Sequence, residues 1–235
     1  MKEFERLAPR YVEQMAFAED WVKEDLQSYA NMTATNNILL HGVYGTGKTS
    51  IAKAIARERI ERQGGSGEGQ FYNCKSSQKT SLQKLIGSGR FQYHLIQIHP
   101  VIIVDEVDRL KGNDMDEICH YIDDYSSKMD GMLIFTTNHF DKVDGALRSR
   151  CTKYEIECLL PKDVLDTAQR MLQSQNIWLD SELVLKQLEF AVHYDSDRAA
   201  WRDYGQIIDR LIRNNATTSS SFKPKKANAH LKLVK

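Results

Sequence analysis

The apolar positions of the chain fall into short runs that alternate with longer stretches of helical spacing. The short runs predict strands at 37–40, 71–73, 101–105, 132–138 and 154–158. Helical spacing predicts helices between them at about 18–30, 48–62 and 115–125. Because several of the runs are apolar at every position, they are typical of strands buried on both faces of a parallel sheet. We therefore expect an α/β fold over residues 1–158, a three-layer αβα sandwich around a parallel sheet.

The pattern changes after Pro161, where strands give way to further helical spacing. The predicted helices lie at 163–173, 181–192 and 198–213. Pro161 suits the first turn of a helix, and we expect a small three-helix lid domain over residues 159–213. Residues 214–235 are rich in Asn, Thr and Ser, then in Lys, with no acidic residue, which predicts a disordered basic tail. Such a tail either attracts nucleic acid non-specifically or only keeps the chain in solution.

A glycine-rich segment lies between the first predicted strand and the helix that follows it. Gly42 is followed by Gly47-Lys48-Thr49 at the spacing of a P-loop, and a strand–turn–helix context makes such a match specific. Glycines let the backbone curl so that its N–H groups face phosphate oxygens, and the helix start adds its positive end. The candidate nucleotide-binding residues are Gly42, Val43, Tyr44, Gly45, Thr46, Gly47, Lys48, Thr49 and Ser50. The alternative is a glycine-rich turn that only joins a strand to a helix.

Two acidic residues, Asp105 and Glu106, end the buried strand that begins at Val101. Ligands of α/β sheets bind at the carboxyl ends of the strands, so these acids are expected beside the P-loop. Thr49 and Asp105 are the candidate Mg²⁺ ligands, Lys48 would reach the β- and γ-phosphates, and Glu106 would activate the attacking water as general base. The alternative is a pair of exposed acids that close a strand.

Polar residues that follow the next strand are further candidates. Asn138 would stand beside the acidic pair on a parallel sheet and either orient the lytic water or sense the γ-phosphate, although an Asn at a strand end is often a turn residue. Arg148 and Arg150 lie near a predicted surface turn. They either add solubility or supply a guanidinium to the γ-phosphate of a neighbouring subunit, where an arginine accelerates the reaction by orders of magnitude.

Composition and charge are those of an ordinary globular chain of 235 residues, with 32 basic and 32 acidic side chains. The balance gives no overall argument for nucleic acid or membrane binding, although a local basic patch is possible. The four cysteines form no C-x-x-C pair, which favours a reducing cytosol over a disulfide framework or a zinc site. Without a signal peptide or a membrane-spanning run, we expect a cytoplasmic protein, in the host-cell cytoplasm if it is viral.

The order of these motifs resembles that of the AAA+ ATPases over about residues 35–213. The resemblance rests on the P-loop, the acidic pair, the polar strand end with its arginines, and the helical segment that follows. It implies that ATP and Mg²⁺ are the cofactors and that Asn138 is the residue called sensor 1. It also implies that Arg202 contacts the γ-phosphate from the lid as sensor 2. Asn73 would occupy the polar position known as the glutamate switch.

Within the AAA+ ATPases, three stretches look like clamp-loader subunits of the phage T4-like and replication-factor-C-like kinds. Residues 146–151 look like their Ser-Arg-Cys motif, which implies that Arg150 acts in trans as the arginine finger. Residues 124–138 resemble the helix end and strand before sensor 1, and Trp201-Arg202 resembles sensor 2. Clamp-loader subunits usually carry a third, helical collar domain, which we expect this chain to lack. Residues 136–150 are also similar to remodelling AAA+ proteins.

The resemblance predicts a Mg²⁺-dependent ATPase motor of DNA replication that opens or loads a protein ring onto primed DNA. The expected partners are other subunits of an AAA+ oligomer, DNA and a replication protein such as a sliding clamp, without a membrane. Two alternatives stay open. One is an ATP-gated switch, scaffold or helicase-loader-type protein that recruits partners to DNA. The other is a protein-remodelling AAA+ ATPase.

Candidate DNA contacts are basic residues in or near helices that would face a central channel: Lys79, Lys84 and Lys111. Two of them fall in the polar, basic segment 75–90, which has a weak helical pattern. The weak pattern favours a solvated surface helix, and an element that faces nucleic acid is the alternative interpretation of that segment.

Overall fold

A computed structural model describes residues 6–75, 84, 87, 97–110, 112–123, 131–192 and 196–219. Within these residues, one parallel sheet is formed by β1 (Ile38–His41), β2 (Gln70–Asn73), β3 (Val101–Asp105), β4 (Met132–Thr137) and β5 (Thr152–Glu155). The strand order is β2-β3-β4-β1-β5, and every pairing is parallel. The predicted α/β fold with a parallel sheet is confirmed. The order brings the carboxyl ends of β1, β4 and β3 side by side at one edge.

Helices connect the strands and form the region that follows them. Those of the sheet region are α1 (Asp20–Ala30), α2 (Lys48–Arg62), α3 (Asn113–Tyr121) and α4 (Gly145–Ser149). Those of the C-terminal region are α5 (Pro161–Gln173), α6 (Ser181–Leu188) and α7 (Trp201–Ser219). Short 3₁₀ turns cover Val12–Gln14, Val107–Arg109, Phe140–Lys142 and Glu189–Ala191.

Alternating residues of the central strands enter two separate cores, which is why the runs are apolar throughout. Ile38, Ile103 and Ile134 pack with α1 and α2 on one face of the sheet. Leu39 and Phe135 pack with α3 and α4 on the other face. Because side chains of a strand point alternately to opposite faces, burial on both faces requires an apolar residue at each position. These are the three layers expected from the sequence.

The C-terminal helices enclose a third core of their own, around Val164, Leu188 and Tyr204. Local signals define these helices: Pro161 starts α5, and the Asp180 side chain accepts a hydrogen bond from the N–H of Glu182 at the start of α6. An N-terminal segment joins this region to the sheet. It contributes partly buried Leu7, Ala16 and Ala18 to the third core, while the N–H of Val12 donates to Glu58 of α2 at 2.7 Å.

Among the boundaries that differ from the sequence prediction are those of β5 and α7. β5 covers Thr152–Glu155 rather than 154–158, because pairing with β1 already begins where the N–H of Thr152 donates to the carbonyl of Asn37 at 2.9 Å. The start of the basic tail at residue 214 is wrong, since α7 continues to Ser219. Residues 214–219 contain no Gly or Pro to stop a helix whose preceding turn is anchored by buried Leu211 and Ile212.

Some predictions lie outside the described residues: most of the basic segment 75–90, and the tail from residue 220 onward. The helix predicted at 115–125 is described to residue 123 only, and it begins earlier, at Asn113. Among the described helices, none combines the length and the apolar character that crossing a lipid bilayer requires.

Candidate nucleotide site

The P-loop connects the end of β1 to the start of α2, and its glycines adopt backbone angles that other residues avoid. Gly42, Gly45 and Gly47 have φ of 138°, 84° and 96°. At Gly42 an added Cβ would lie 2.4 Å from the carbonyl oxygen of Ile156, so a side chain cannot be accommodated without moving the backbone. The turn is therefore sterically restricted to glycine at this position.

Lys48 is buried beneath the loop, and its ammonium group holds the loop together. Nζ donates to the carbonyls of Gly42 at 2.9 Å and Val43 at 2.6 Å, and lies 3.3 Å from Oγ1 of Thr46. Burial lowers the pKa of Lys48 to about 8, and the nearby Asp105 carboxylate partly offsets this shift. The positive charge thus sits at the centre of the loop, where phosphate oxygens would meet it.

Asp105 is the acceptor at the centre of a buried hydrogen-bond cluster at the end of β3. Its Oδ1 accepts from the hydroxyls of Thr49 at 2.8 Å and Thr136 at 2.6 Å, and its Oδ2 accepts from the amide of Asn73 at 2.9 Å. The polar residue at the predicted glutamate-switch position therefore contacts Asp105. The cluster puts a carboxylate and the Thr49 hydroxyl next to each other on the cavity wall.

This donor set fits Mg²⁺, which prefers oxygen ligands and usually keeps only one or two protein ligands beside substrate phosphates and water. Thr49 and Asp105 would hold the ion. Over the described part of the chain, no group of three or more His, Cys, Asp or Glu residues could hold a metal without further ligands. A metal here would therefore depend on the phosphates of a nucleotide for part of its coordination.

Glu106 has an unusual backbone conformation, and its carboxylate is paired with basic side chains. Its φ and ψ of 59° and 47° lie in the left-handed region, which is uncommon for a residue other than Gly. Its Oε2 accepts from Nε of Arg109 at 2.8 Å, and Oε1 lies 3.9 Å from Nζ of Lys75. The candidate general base therefore lies on the cavity wall with its carboxylate already paired to a cation of its own chain.

A cavity of about 980 Å³ brings most of the predicted residues together. The predicted residues that line it are Tyr44, Gly45, Gly47, Lys48, Thr49, Ser50, Asp105, Glu106, Asn138 and Arg202. The C-terminal helical region reaches the P-loop directly, since the N–H of Arg202 donates to the carbonyl of Gly45 at 3.0 Å. The Arg202 side chain is largely exposed in the cavity. Gly42, Val43 and Thr46 belong to the loop and contact Lys48 from behind.

A smaller apolar recess adjoins this cavity on the side of the N-terminal segment. Ala8, Met15 and Trp201 line it beside Gly47 and Ile51. Sequence reasoning had assigned no residue of the N-terminal segment to the site, because nothing local in that segment identifies the face it presents.

Arg148 and Arg150 do not line the cavity of their own chain. The Arg150 guanidinium forms a two-pronged pair with Asp123, with Nε–Oδ1 at 2.8 Å and Nη2–Oδ2 at 2.7 Å, and Nη1 donates to the carbonyl of Ala146 at 2.9 Å. The hydrogen bonds from Arg150 lower the pKa of Asp123. The Arg148 guanidinium lies over the ring of Phe140, 5.3 Å from its centroid. Action in trans stays a prediction for both arginines.

Residues that sequence reasoning missed are Thr136, Arg109 and His139. Thr136 was detectable in principle, because a hydroxyl at the end of a fully buried strand requires a partner. Arg109 and His139 carry no such signal, since their roles depend on side-chain directions in loops. Among the candidate DNA contacts, Lys84 is exposed, whereas Lys79 and Lys111 lie outside the described residues.

Comparison with known proteins gives a family match over the sheet region. The family model for the ATPase family associated with various cellular activities (AAA) matches residues 38–158, just over half of the chain. Replication factor C subunit 3 of Schizosaccharomyces pombe is 22% identical over 182 residues, which cover 76% of this chain and 52% of that protein. The chain thus spans about half the length of this curated relative.

Two further similarities extend the comparison. Proteasome-activating nucleotidase 2 of Halobacterium salinarum is 24% identical over 227 residues, covering 79% of this chain and 53% of that protein. The structure of the Thermotoga maritima RuvB Holliday junction branch migration motor superposes with a TM-score of 0.64 at 18% identity, over 91% of this chain and 67% of that one. At this identity the structural similarity establishes the fold alone.

Proposed function

The chain belongs to the AAA family of ATPases, and we propose that it is a Mg²⁺-dependent ATPase that works in an oligomer during DNA replication. The observation that carries the ATPase proposal is the direct hydrogen bond between Thr49 and Asp105 at 2.8 Å, beside the buried ammonium of Lys48. It joins the two motifs, 56 residues apart, into one wall that would bind phosphate and metal.

In the proposed reaction, each of these cavity residues has a separate role. The loop N–H groups and Lys48 bind the phosphates, and Arg202 approaches them from the lid. Mg²⁺ held by Thr49 and Asp105 would supply charge neutralisation at the phosphate oxygens. Glu106 accepts the proton of the attacking water, and Asn138 orients that water. For Glu106 to do so, its carboxylate must turn from Arg109 toward the water, because its Oε2 already accepts from Nε of Arg109.

We propose that the motor is clamp-loader-like, opening or loading a protein ring on primed DNA, with Arg150 completing the site of a neighbouring subunit. Two observations support this. The relative from Schizosaccharomyces pombe is a replication factor C subunit, and the match extends over 76% of this chain. In addition, Arg150 lies outside the cavity of its own chain on an exposed turn.

The test is the ATPase rate of the full chain as a function of its concentration, with and without a primed single-strand/double-strand DNA junction. We expect the rate per subunit to rise with concentration, to rise again with the junction, and to collapse in Arg150→Ala. A dilute monomer as fast as a concentrated sample would contradict the oligomeric site. An ATPase rate that does not change with DNA would contradict the clamp-loader-like role. An Arg150→Ala variant with an unchanged rate would remove Arg150 from the proposed site.

The pairing of Glu106 with Arg109 supports a second candidate function, an ATP-gated switch or helicase-loader-type protein whose assembled state recruits partners to DNA. A general base whose carboxylate is held by Arg109 would slow hydrolysis and so favour long-lived ATP-bound states. Glu106→Gln separates the two functions, because a motor loses its loading activity, whereas a switch stays locked in its active state. Retained partner recruitment to DNA by Glu106→Gln would support the switch.

The similarity to proteasome-activating nucleotidase 2 supports a third candidate, a protein-remodelling ATPase. This function predicts that an unfolded protein substrate stimulates the ATPase rate and that junction DNA does not. The unfolded protein and the junction DNA are both tested in the same ATPase assay, so that one experiment compares all three candidate functions.

A further inference from the structure

Tyr44 places a large aromatic side chain in the middle of the P-loop, where it is 53% exposed at the cavity mouth. Phosphate binding by a P-loop uses backbone N–H groups and the lysine, so this chemistry does not require a phenol ring. The ring nevertheless has a specific partner, His139. Its hydroxyl lies 3.1 Å from Nε2 of His139, and the two rings meet edge to face with centroids 5.8 Å apart.

His139 extends this contact into the turn that carries Glu106. The N–H of His139 donates to Oγ1 of Thr137 at 2.9 Å, and the Thr137 hydroxyl donates to Oδ1 of Asp108 at 2.6 Å. Asp108 belongs to the 3₁₀ turn that begins directly after Glu106. The contacts therefore form one continuous path from the P-loop, through the end of β4, to the turn after β3.

The path lies beyond the last paired residues of β1 and β4, where strand pairing no longer holds the two segments together. The ladder between β1 and β4 ends with the pair His41 and Thr137. Beyond that pair no backbone ladder joins the P-loop to the segment from Asn138 onward. Two ring contacts connect them instead: His41 with Phe140, centroids 4.4 Å apart, and Tyr44 with His139. Asn138 lies between two members of the path, Thr137 and His139. Small displacements of groups that act on the reacting atoms cost large factors in rate, so a cross-link here has a direct catalytic consequence.

We infer that Tyr44 and His139 are positioning residues, which hold Asn138 and the Glu106 turn in register with phosphates bound in the P-loop. This inference rests on the proposed ATPase function. Neither side chain needs to touch the reacting atoms for this role. Its signature is a lower kcat at unchanged nucleotide affinity, with effects of the two residues that are not independent.

The test compares Tyr44→Phe, His139→Ala and the double variant in the full chain. Measurements are kcat and KM for ATP, together with the Kd of a fluorescent ATP analogue. Each single change is expected to lower kcat roughly 3- to 10-fold, the value of one hydrogen bond, while Kd stays within about twofold. The double variant should be no slower than the slower single variant, because both changes break one contact.

Two further variants sharpen the test. His139→Gln keeps a side-chain group that can hydrogen-bond the phenol, so its kcat should exceed that of His139→Ala. Tyr11→Phe is the matched control, since it removes the hydroxyl of another surface tyrosine outside the cavity. The imidazole nitrogen resonances of His139, observed by NMR, should shift in Tyr44→Phe and stay in place in Tyr11→Phe, whether or not the protein turns over.

Several results would overturn the inference. Additive losses would show that the residues act separately, and a fall in affinity at constant kcat would make Tyr44 a nucleotide ligand. An unchanged kcat in Tyr44→Phe would show that the contact with His139 has no effect on catalysis. Unmoved His139 resonances would show that the contact does not form. Absence of turnover in the unmodified chain would overturn the proposed ATPase function instead, which is a different result from normal turnover with unaffected variants.

Discussion

The two sides of the proposed reaction centre differ in how completely one chain builds them. On the P-loop side, Lys48 and Asp105 are buried, and each makes several short hydrogen bonds to its neighbours. On the arginine side, Arg150 and Asp123 form a pair whose side chains are 33% and 50% exposed. The first arrangement persists in an isolated chain. The second is held by a surface ion pair, which is worth little in water and exchanges readily for another anion.

We therefore expect nucleotide binding and nucleotide hydrolysis to depend on different states of the protein. Binding uses groups that one chain already orders. Hydrolysis, as proposed, also needs a guanidinium that this chain holds away from its own cavity. Four substitutions test this division, beginning with the largest expected effect.

Arg150→Ala should lower kcat roughly 1,000-fold in an assembled sample, because an arginine finger is worth at least that much. Nucleotide affinity should stay constant, since Arg150 does not line the cavity of its own chain. Steady-state kinetics and equilibrium titration measure the two quantities. Arg148→Ala is the comparison: its guanidinium packs on Phe140, and we expect a smaller loss. An equal loss in a monomeric sample would place Arg150 in its own chain's site.

Glu106→Gln should lower kcat roughly 100- to 1,000-fold, because an amide keeps the shape of the side chain and cannot accept the proton. Nucleotide affinity should be kept, and single-turnover hydrolysis with bound ATP separates the two effects. The matched control is Glu182→Gln, an exposed acid in the first turn of α6. A Glu106→Gln chain that hydrolyses ATP at a normal rate would assign the base to another residue.

Lys48→Met should weaken the binding of ATP and ADP roughly 10- to 100-fold, because a charge-assisted contact to phosphate is lost. It also leaves the carbonyls of Gly42 and Val43 without their ammonium donor. Calorimetric titration gives the affinity, and Lys162→Met on the exposed side of α5 is the control. Unchanged affinity would mean that Lys48 serves only the structure of the loop.

Asp123→Asn should have the smallest effect, raising the ATPase rate of the assembled protein roughly two- to fivefold, in line with the low value of an exposed pair. Three of the five N–H donors of the Arg150 guanidinium go to Asp123 and Ala146, so the Asp123 carboxylate competes with a neighbour's phosphate for this cation. The expected rise is measured as the ATPase rate of Asp123→Asn as a function of protein concentration. A lower rate would show instead that Asp123 aligns Arg150 for its target.

The nucleotide-binding wall could be predicted because its signals are local. Gly42, Lys48 and Thr49 lie in one turn, and the acidic pair directly follows a strand whose burial the apolar run reveals. Parallel strands bring their carboxyl ends to one edge, so two local motifs define a common site without knowledge of any side-chain contact. The predicted bounds of β5 and α7 are less accurate, because the start of β5 and the end of α7 depend on pairing or packing with distant residues.

The sequence by itself therefore determined the parallel sheet, the P-loop, the acidic pair and the position of Asn138, since each follows from periodicity or from residues adjacent along the chain. Only the tertiary structure decided the pairing of Arg150 with Asp123, the contact of Tyr44 with His139, and the approach of Arg202 to Gly45. These partners are 27, 95 and 157 residues apart. Their contacts depend on how loops leave the sheet and on which rotamers the packed neighbours allow, and neither is encoded in local spacing.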